Sequence, residues 1–186
     1  MTMKFHQLIL LAVCSLSLVG CDTITEMTKG TDNAIPATPL TDIQASLSLR
    51  TSWSKNVGKG GNRNFVNLRP TIADGIVYAA SRDGTVTAVD AETGSQRWEV
   101  GTNTRLGAGP GVGDGMVLLG SSEGEVIALS ITDGKEQWRS RVTSEVLSVP
   151  ATAAGIVIAR AIDGRLFGIS ALDGKRLWTY DRTVPT

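Results

Sequence analysis

The sequence predicts an all-β fold: an incomplete β-propeller of four-stranded antiparallel blades on a 40-residue repeat, with about three full blades and two partial ones. Three observations predict it. Trp98, Trp138 and Trp178 stand 40 residues apart, and four further series keep that period without insertion: Gly94, Gly134 and Gly174; Gly84, Gly124 and Gly164; Gly75, Gly115 and Gly155; Pro70, Pro110 and Pro150. Each repeat also holds three X-Gly turns between short apolar runs, and nothing in these segments has the 3.6-residue period of an amphipathic helix. Helical repeats share this period, but nine turn glycines and Val/Ile-rich runs exclude them.

The turns place the strands. They are Asp74-Gly75, Asp83-Gly84 and Thr93-Gly94 in the first repeat, then Asp114-Gly115, Glu123-Gly124 and Asp133-Gly134, then Ala154-Gly155, Asp163-Gly164 and Asp173-Gly174. Tight hairpins need positive φ, which glycine supplies cheaply, so three such turns fold each repeat into four strands. The runs 76–80, 116–119 and 156–159 are apolar on both faces, as strands between packed sheets should be. The runs 85–90, 125–130 and 165–170 alternate more. Trp53, in Thr51–Gly58, resembles one further outer strand, and Asp181–Thr186 opens another repeat. The chain therefore reads as part of a longer protein.

Composition narrows the chemistry. The chain has 186 residues with 18 basic against 18 acidic side chains, which removes the charge footprint of a nucleic-acid binder. Its one histidine, His6, and its two cysteines, Cys14 and Cys21, all fall in the first 21 positions. If that segment is a leader, histidine metal sites, Ser-His-Asp triads and structural disulfides are excluded from the rest.

The leader is readable. Lys4 and His6 precede an apolar stretch, Leu8–Val19, that is shorter than the ~20 residues needed to span a bilayer. Leu18-Val19-Gly20-Cys21 then resembles the bacterial lipobox, whose cysteine is diacylated on sulfur and acylated on its new N-terminus. The expected organisation is a lipoprotein signal peptide over 1–20, a lipidated N-terminus and tether over 21–50, and a propeller over 51–186. Removing the leader leaves 166 residues. A flexible tether of about 26 residues reaches roughly 28 Å, and a short helix is weakly signalled within it near 42–49. Asp22 resembles a signal for inner-membrane retention, so both the outer and the inner membrane stay open as destinations.

Ala88-Val89-Asp90-Ala91-Glu92-Thr93-Gly94-Ser95-Gln96-Arg97-Trp98, with its counterparts 128–138 and 168–178, resembles the quinoprotein-type repeat, A-x-D-x-x-T-G-x-x-x-W. Departures are small: Ser130 and Ser170 stand for Asp90, and Gly168 for the alanine. The Trp-Asp signature of WD40 blades is missing. Physically, the glycine turns the last hairpin, and Trp53, Trp98, Trp138 and Trp178 are structural tryptophans suited to the seam against a neighbouring blade.

The lipobox, the tether and the run Asn64–Ala80, together with Glu145–Pro150, resemble the scaffold lipoproteins of the outer-membrane β-barrel assembly machinery. That resemblance implies a non-enzymatic, lipid-anchored scaffold on the periplasmic face of the outer membrane, without cofactor or metal. Its implied partners are the periplasmic domains of the central barrel subunit, with unfolded outer-membrane proteins as a second class. The residues implied in that contact fall beyond Thr186, and only Cys21 carries over, as the lipidated residue.

The alternative is a periplasmic dehydrogenase-like enzyme dependent on pyrroloquinoline quinone, or another propeller binding module. The enzymes of the repeat family carry a Cys-Cys pair that is missing here. The acidic residues at 74, 83, 114, 123, 133, 163 and 173 sit in turns, where turn chemistry accounts for them. Gly107–Gly113 and Gly58–Gly61 lack phosphate-loop spacing and read as inner-strand or loop glycines. Arg160 replaces the small Ala80 and Gly120 of its sisters, as a partner-facing residue or a solvated irregularity.

Overall fold

Paired positive φ values at the tip of each first hairpin set the meander. Asp74 and Gly75 have φ of 49° and 73°, Asp114 and Gly115 47° and 75°, and Ala154 and Gly155 53° and 77°. These are type I′ turns, whose twist matches that of the strands they join. The computed structural model describes residues 38–42, 46–60 and 66–181. The chain divides into two units, Met1–Ser48 and Leu49–Thr186. In the first, residues 38–42 and 46–48 carry no regular secondary structure, so the helix signalled near 42–49 is absent at its described positions. Residues 1–37, including Cys21, lie outside the described residues.

The second unit holds thirteen strands in the described residues. A short β1 (Asn67–Leu68) precedes blade one, β2 (Thr71–Ala73), β3 (Ile76–Ala80), β4 (Thr85–Asp90) and β5 (Gln96–Gly101). Blade two is β6 (Leu106–Gly113), β7 (Met116–Ser121), β8 (Glu125–Ser130) and β9 (Glu136–Arg141). Blade three is β10 (Ala151–Ala153), β11 (Ile156–Arg160), β12 (Leu166–Ser170) and β13 (Arg176–Tyr180). Each blade is an antiparallel meander in chain order, and β1 adds to blade two by pairing parallel to β6. The predicted four-stranded blades are therefore present three times over.

The repeat extends to the irregularities. Between the last two strands of every blade the register slips once, at Ala88/Val89, Ala128/Leu129 and Gly168/Ile169. A bulge there increases the local twist that carries the outer strand around. Hairpins and connectors then fall at two opposite ends of the sheets. One end joins the first and third turns of each blade through Ala91 N–H to Gly75 O (2.8 Å), Ile131 to Gly115 (3.0 Å) and Ala171 to Gly155 (2.9 Å). The other joins second turns to the interblade connectors, as in Leu106 N–H to Arg82 O (3.1 Å) and Ile162 N–H to Glu145 O (2.9 Å).

Two apolar cores lie in the two interblade seams. One joins Tyr78, Val86, Ala88 and Trp98 of blade one to Leu106, Val117, Leu119, Ile127 and Leu129 of blade two. The other joins Met116, Leu118, Val126, Ala128 and Trp138 to Val146, Val157, Ala159, Phe167 and Ile169. Strand β7, apolar on both faces, is buried along its whole length between two neighbours.

The third strands differ from the alternation read in the sequence. The inner four residues of β4 and of β8 are all buried, because a sheet covers each face. The buried Thr87 is accommodated by donating its hydroxyl to Glu99 Oε2 at 2.9 Å. Strand β11 departs the other way: Val157 and Ala159 are buried while Ile158 and Arg160 face out, so this strand is not enclosed on both faces. Residues 51–58, read as an outer strand, carry no strand assignment.

Candidate functional site

Three of the four repeat tryptophans, Trp53, Trp98 and Trp138, make the same constellation. Trp98 Nε1 donates to Ile131 O at 3.0 Å, and Trp138 Nε1 donates to Ala171 O at 2.8 Å, each in the following blade. Their rings lie on the turn glycine three residues further on. A methyl group at Gly134 would sit 2.7 Å from the Trp98 ring, and one at Gly174 would sit 2.8 Å from the Trp138 ring. Trp53 repeats the arrangement on blade one, donating to Ala91 O at 3.0 Å and covering Gly94, although its segment is not a regular strand. The glycine thus does two things: its φ of about 70° closes the hairpin, and its missing side chain seats the previous blade's indole.

Trp178 is placed differently. It is 40% exposed, against 8% for Trp98 and 7% for Trp138. Its ring folds onto its own sheet over Gly168, at a position where Ala88 and Ala128 of the sister blades carry methyl groups. The one departure from the alanine pattern therefore coincides with the one indole that turns back on its own blade.

Inner-strand glycines bring blades together. Methyl groups on Gly107, Gly111 and Gly113 would collide with Leu147, Pro150 and Thr152 of the segment leading into and along β10. The glycine-rich run lies on the inner strand β6 and is a close-packing surface. Gly58–Gly60 docks on the blade-one turn, with Lys59 N–H donating to Asp83 Oδ2 (3.0 Å) and Gly60 N–H to Ser81 Oγ (3.1 Å).

Turn carboxylates are mostly occupied by their own turns. Asp83, Asp133, Asp163 and Asp173 each accept the backbone N–H two residues on, at 3.1–3.3 Å. The Lys135 ammonium, with the Ser130 hydroxyl, lowers the Asp133 carboxyl to about 2, and Lys175 does the same for Asp173. Asp90, held first by the Thr93 N–H and then by Arg97, is also lowered to about 2. Asp114 reaches the next blade instead, accepting from Thr152 Oγ1 at 2.6 Å and Gly155 N–H at 3.3 Å.

Arg139 is a seam residue that spacing did not reveal. It pairs with Glu136 and Glu125, both at 2.8 Å, and donates to Thr102 O of blade one at 2.9 Å. The hydrogen bond to Glu136, reinforced by Glu125, raises its guanidinium above the usual range despite partial burial. Arg160 is exposed and lines a small cavity with Leu147, Ser148, Ala161 and Ile162. Among the described residues no group of three or more His, Cys, Asp or Glu is placed to hold a metal ion.

Four-stranded meanders on a 40-residue period, with the indoles of blades one and two each seated on a turn glycine of the following blade, define this chain as a stretch of quinoprotein-type β-propeller. A family model described as outer membrane protein assembly factor BamB matches residues 48–104 and 82–186. The chain belongs to that family. Its sequence is 38% identical over 100 residues to the outer membrane protein assembly factor BamB of Xanthomonas campestris, covering 51% of this chain and 24% of the relative. The chain therefore matches about a quarter of the length of that relative. Among solved structures, BamB from Moraxella catarrhalis superposes with a TM-score of 0.57 and 26% identity, over 62% of this chain and 35% of that one. The quinohemoprotein alcohol dehydrogenase of Comamonas testosteroni superposes with a TM-score of 0.53 and 25% identity, over 62% and 21%.

Proposed function

We propose that this chain is part of a non-enzymatic scaffold that aids assembly and insertion of β-barrel proteins into the outer membrane. The family match over residues 48–186 carries the reading. In this reading residues 1–20 are a signal peptide, 21–50 a lipidated tether beginning at Cys21, and 51–186 the start of the propeller. The lipid holds the propeller on the periplasmic face of the outer membrane, where it engages the periplasmic domains of BamA and contacts unfolded outer-membrane proteins.

What supports a scaffold over an enzyme is how the side chains are spent. The indoles and glycines hold seams, and most turn carboxylates accept backbone or lysine hydrogen bonds within their own hairpins. The fold is shared with a dehydrogenase, so the fold by itself favours neither. Calorimetric titration of the whole protein containing this chain against purified BamA periplasmic domains tests the proposal. Saturable binding is expected, and absence of heat at high concentration of both partners overturns it.

A further inference from the structure

Six Asp-Gly steps occur in the described residues, at 74–75, 83–84, 114–115, 133–134, 163–164 and 173–174. This dipeptide is where proteins rearrange spontaneously. The backbone nitrogen of the glycine attacks the aspartate side-chain carbonyl, water leaves, and a five-membered succinimide forms. Water then adds back at either ring carbonyl, returning aspartate or giving isoaspartate, so atoms balance with no other reactant. Glycine is permissive because it lacks a side chain to hinder the approach. Two things oppose the reaction in a folded protein: a hydrogen bond that fixes the glycine N–H, and hydrogen bonds that fix the carboxylate.

Those two restraints are unequally distributed. At four steps the glycine N–H donates to a backbone carbonyl: Gly84 to Ser81 (3.1 Å), Gly134 to Ser130 (2.9 Å), Gly164 to Ala161 (3.1 Å) and Gly174 to Ser170 (2.9 Å). The aspartates of the same four steps also accept the backbone N–H two residues on. These steps are restrained twice.

The type I′ hairpins at 74–75 and 114–115 lack the first restraint, because the N–H of the second central residue points away from the turn's own hydrogen bond. Among the described residues neither Gly75 nor Gly115 donates its N–H to backbone. Asp114 keeps the second restraint through Thr152 Oγ1 and Gly155 N–H. One blade earlier, the position of Thr152 is taken by Val112, which has no hydroxyl to give. Among the described residues no hydrogen bond holds the Asp74 carboxylate, and Asp74 and Gly75 are both exposed.

We infer that Asp74-Gly75 is the modification site of this protein: the step that converts to isoaspartate ahead of its five counterparts and so becomes an acceptor for an isoaspartyl carboxyl methyltransferase. The product inserts a backbone methylene at the tip of the β2–β3 hairpin, where Ala73 pairs with Ile76. The consequence is a loosened inner hairpin in aged molecules.

The whole chain, incubated for weeks near neutral pH in heavy-oxygen water, tests this by peptide mapping. Isoaspartate is read by chromatographic separation of isomers, by heavy-oxygen incorporation and by methyltransferase labelling. Each restraint is a hydrogen bond whose loss corresponds to about a tenfold change in rate, so 74–75 should convert about tenfold faster than 114–115 and faster still than the other four. Thr152→Val should raise conversion at 114–115 several-fold while leaving 74–75 unchanged, and Asp74→Glu should abolish the fast site. Equal rates at 74–75 and 114–115, or faster conversion at any of the four doubly restrained steps, overturns the inference. Failure of Thr152→Val to accelerate 114–115, in a variant whose circular dichroism matches the parent, overturns it too.

Discussion

Gly134→Ala isolates the role of a turn glycine as the seat of its neighbour's indole. Gly134 and Gly115 have nearly the same backbone, φ of 73° and 75°. Placing alanine at either costs the left-handed penalty of roughly 1–2 kcal/mol. Only their surroundings differ. A methyl at Gly115 meets nothing within 4 Å, whereas one at Gly134 lies 2.7 Å from Trp98 Cε3, 3.0 Å from Cδ2 and 3.0 Å from Val100 Cγ1. Relieving those contacts means lifting the ring and stretching its 3.0 Å bond to Ile131 O, an overpacking cost of roughly 1–3 kcal/mol. Gly134→Ala should therefore destabilise by roughly 2–5 kcal/mol in total, and Gly115→Ala by the left-handed penalty alone. Urea unfolding followed by circular dichroism measures both, with the slope checked for constancy. Trp98→Leu supplies the coupling: in its background the excess at Gly134 should largely vanish. Equal destabilisation by the two glycine substitutions, or an excess that survives Trp98→Leu, would refute the seam argument.

Trp138→Ala removes a nearly buried indole and orphans Ala171 O, and should cost about 3–5 kcal/mol by urea titration, whereas Trp178→Ala should cost about 1–2 kcal/mol. Gly168→Ala should push Trp178 off its own sheet, read as a red shift in the difference fluorescence between this variant and its Trp178→Phe partner. The carboxyls of Asp90, Asp133 and Asp173 titrate at about 2 in the fold against an ordinary 3.8, so they stabilise above pH ~4 and that support is lost as pH falls toward 2. Melting temperature should drop through that window, and less steeply in Asp133→Asn. Cys21→Ser should abolish incorporation of labelled palmitate, and undiminished labelling would remove the lipoprotein reading.

Period made the architecture legible, since five residue series at one spacing leave little freedom in where strands and turns fall. It also held the seam in outline: Trp98 to Gly134 and Trp138 to Gly174 are both 36 residues, an offset implicit in two series with one period. Trp53 escapes that arithmetic. It sits 41 residues before Gly94, yet its indole makes the same two contacts, because the seam constrains where the ring lies and not the strand that delivers it. Arg139 was illegible for a related reason. A long side chain reaching Thr102 O across the seam leaves no trace in spacing, and neither sister blade has arginine there. The burial of Thr87 depended on a partner, Glu99, twelve residues away on the next strand.

The same geometry bears on where recognition can lie. A side chain that fixes a seam cannot also yield to a partner without loosening the blades, so Trp53, Trp98, Trp138, the seat glycines and Arg139 are unsuitable as adaptable contacts. The remaining chemistry lies at the two ends of the sheets, and those ends differ. The end formed by first and third turns carries Asp74, Glu92, Asp114, Asp133 and Asp173 on short, tightly bonded hairpins. The opposite end carries Arg82, Arg105 and Arg160 with the longer connector 142–150, where Leu147 and Ser148 border a cavity. A longer loop over a partly apolar cavity, edged by an exposed arginine, offers area and a bidentate donor together, whereas at the hairpin end Asp133 and Asp173 are committed to their own turns and Asp114 to the next blade. Contacts made by this part of the propeller are thus expected at the connector end, and substitutions there, such as Arg160→Glu, should weaken partner binding in the calorimetric titration without lowering the melting temperature.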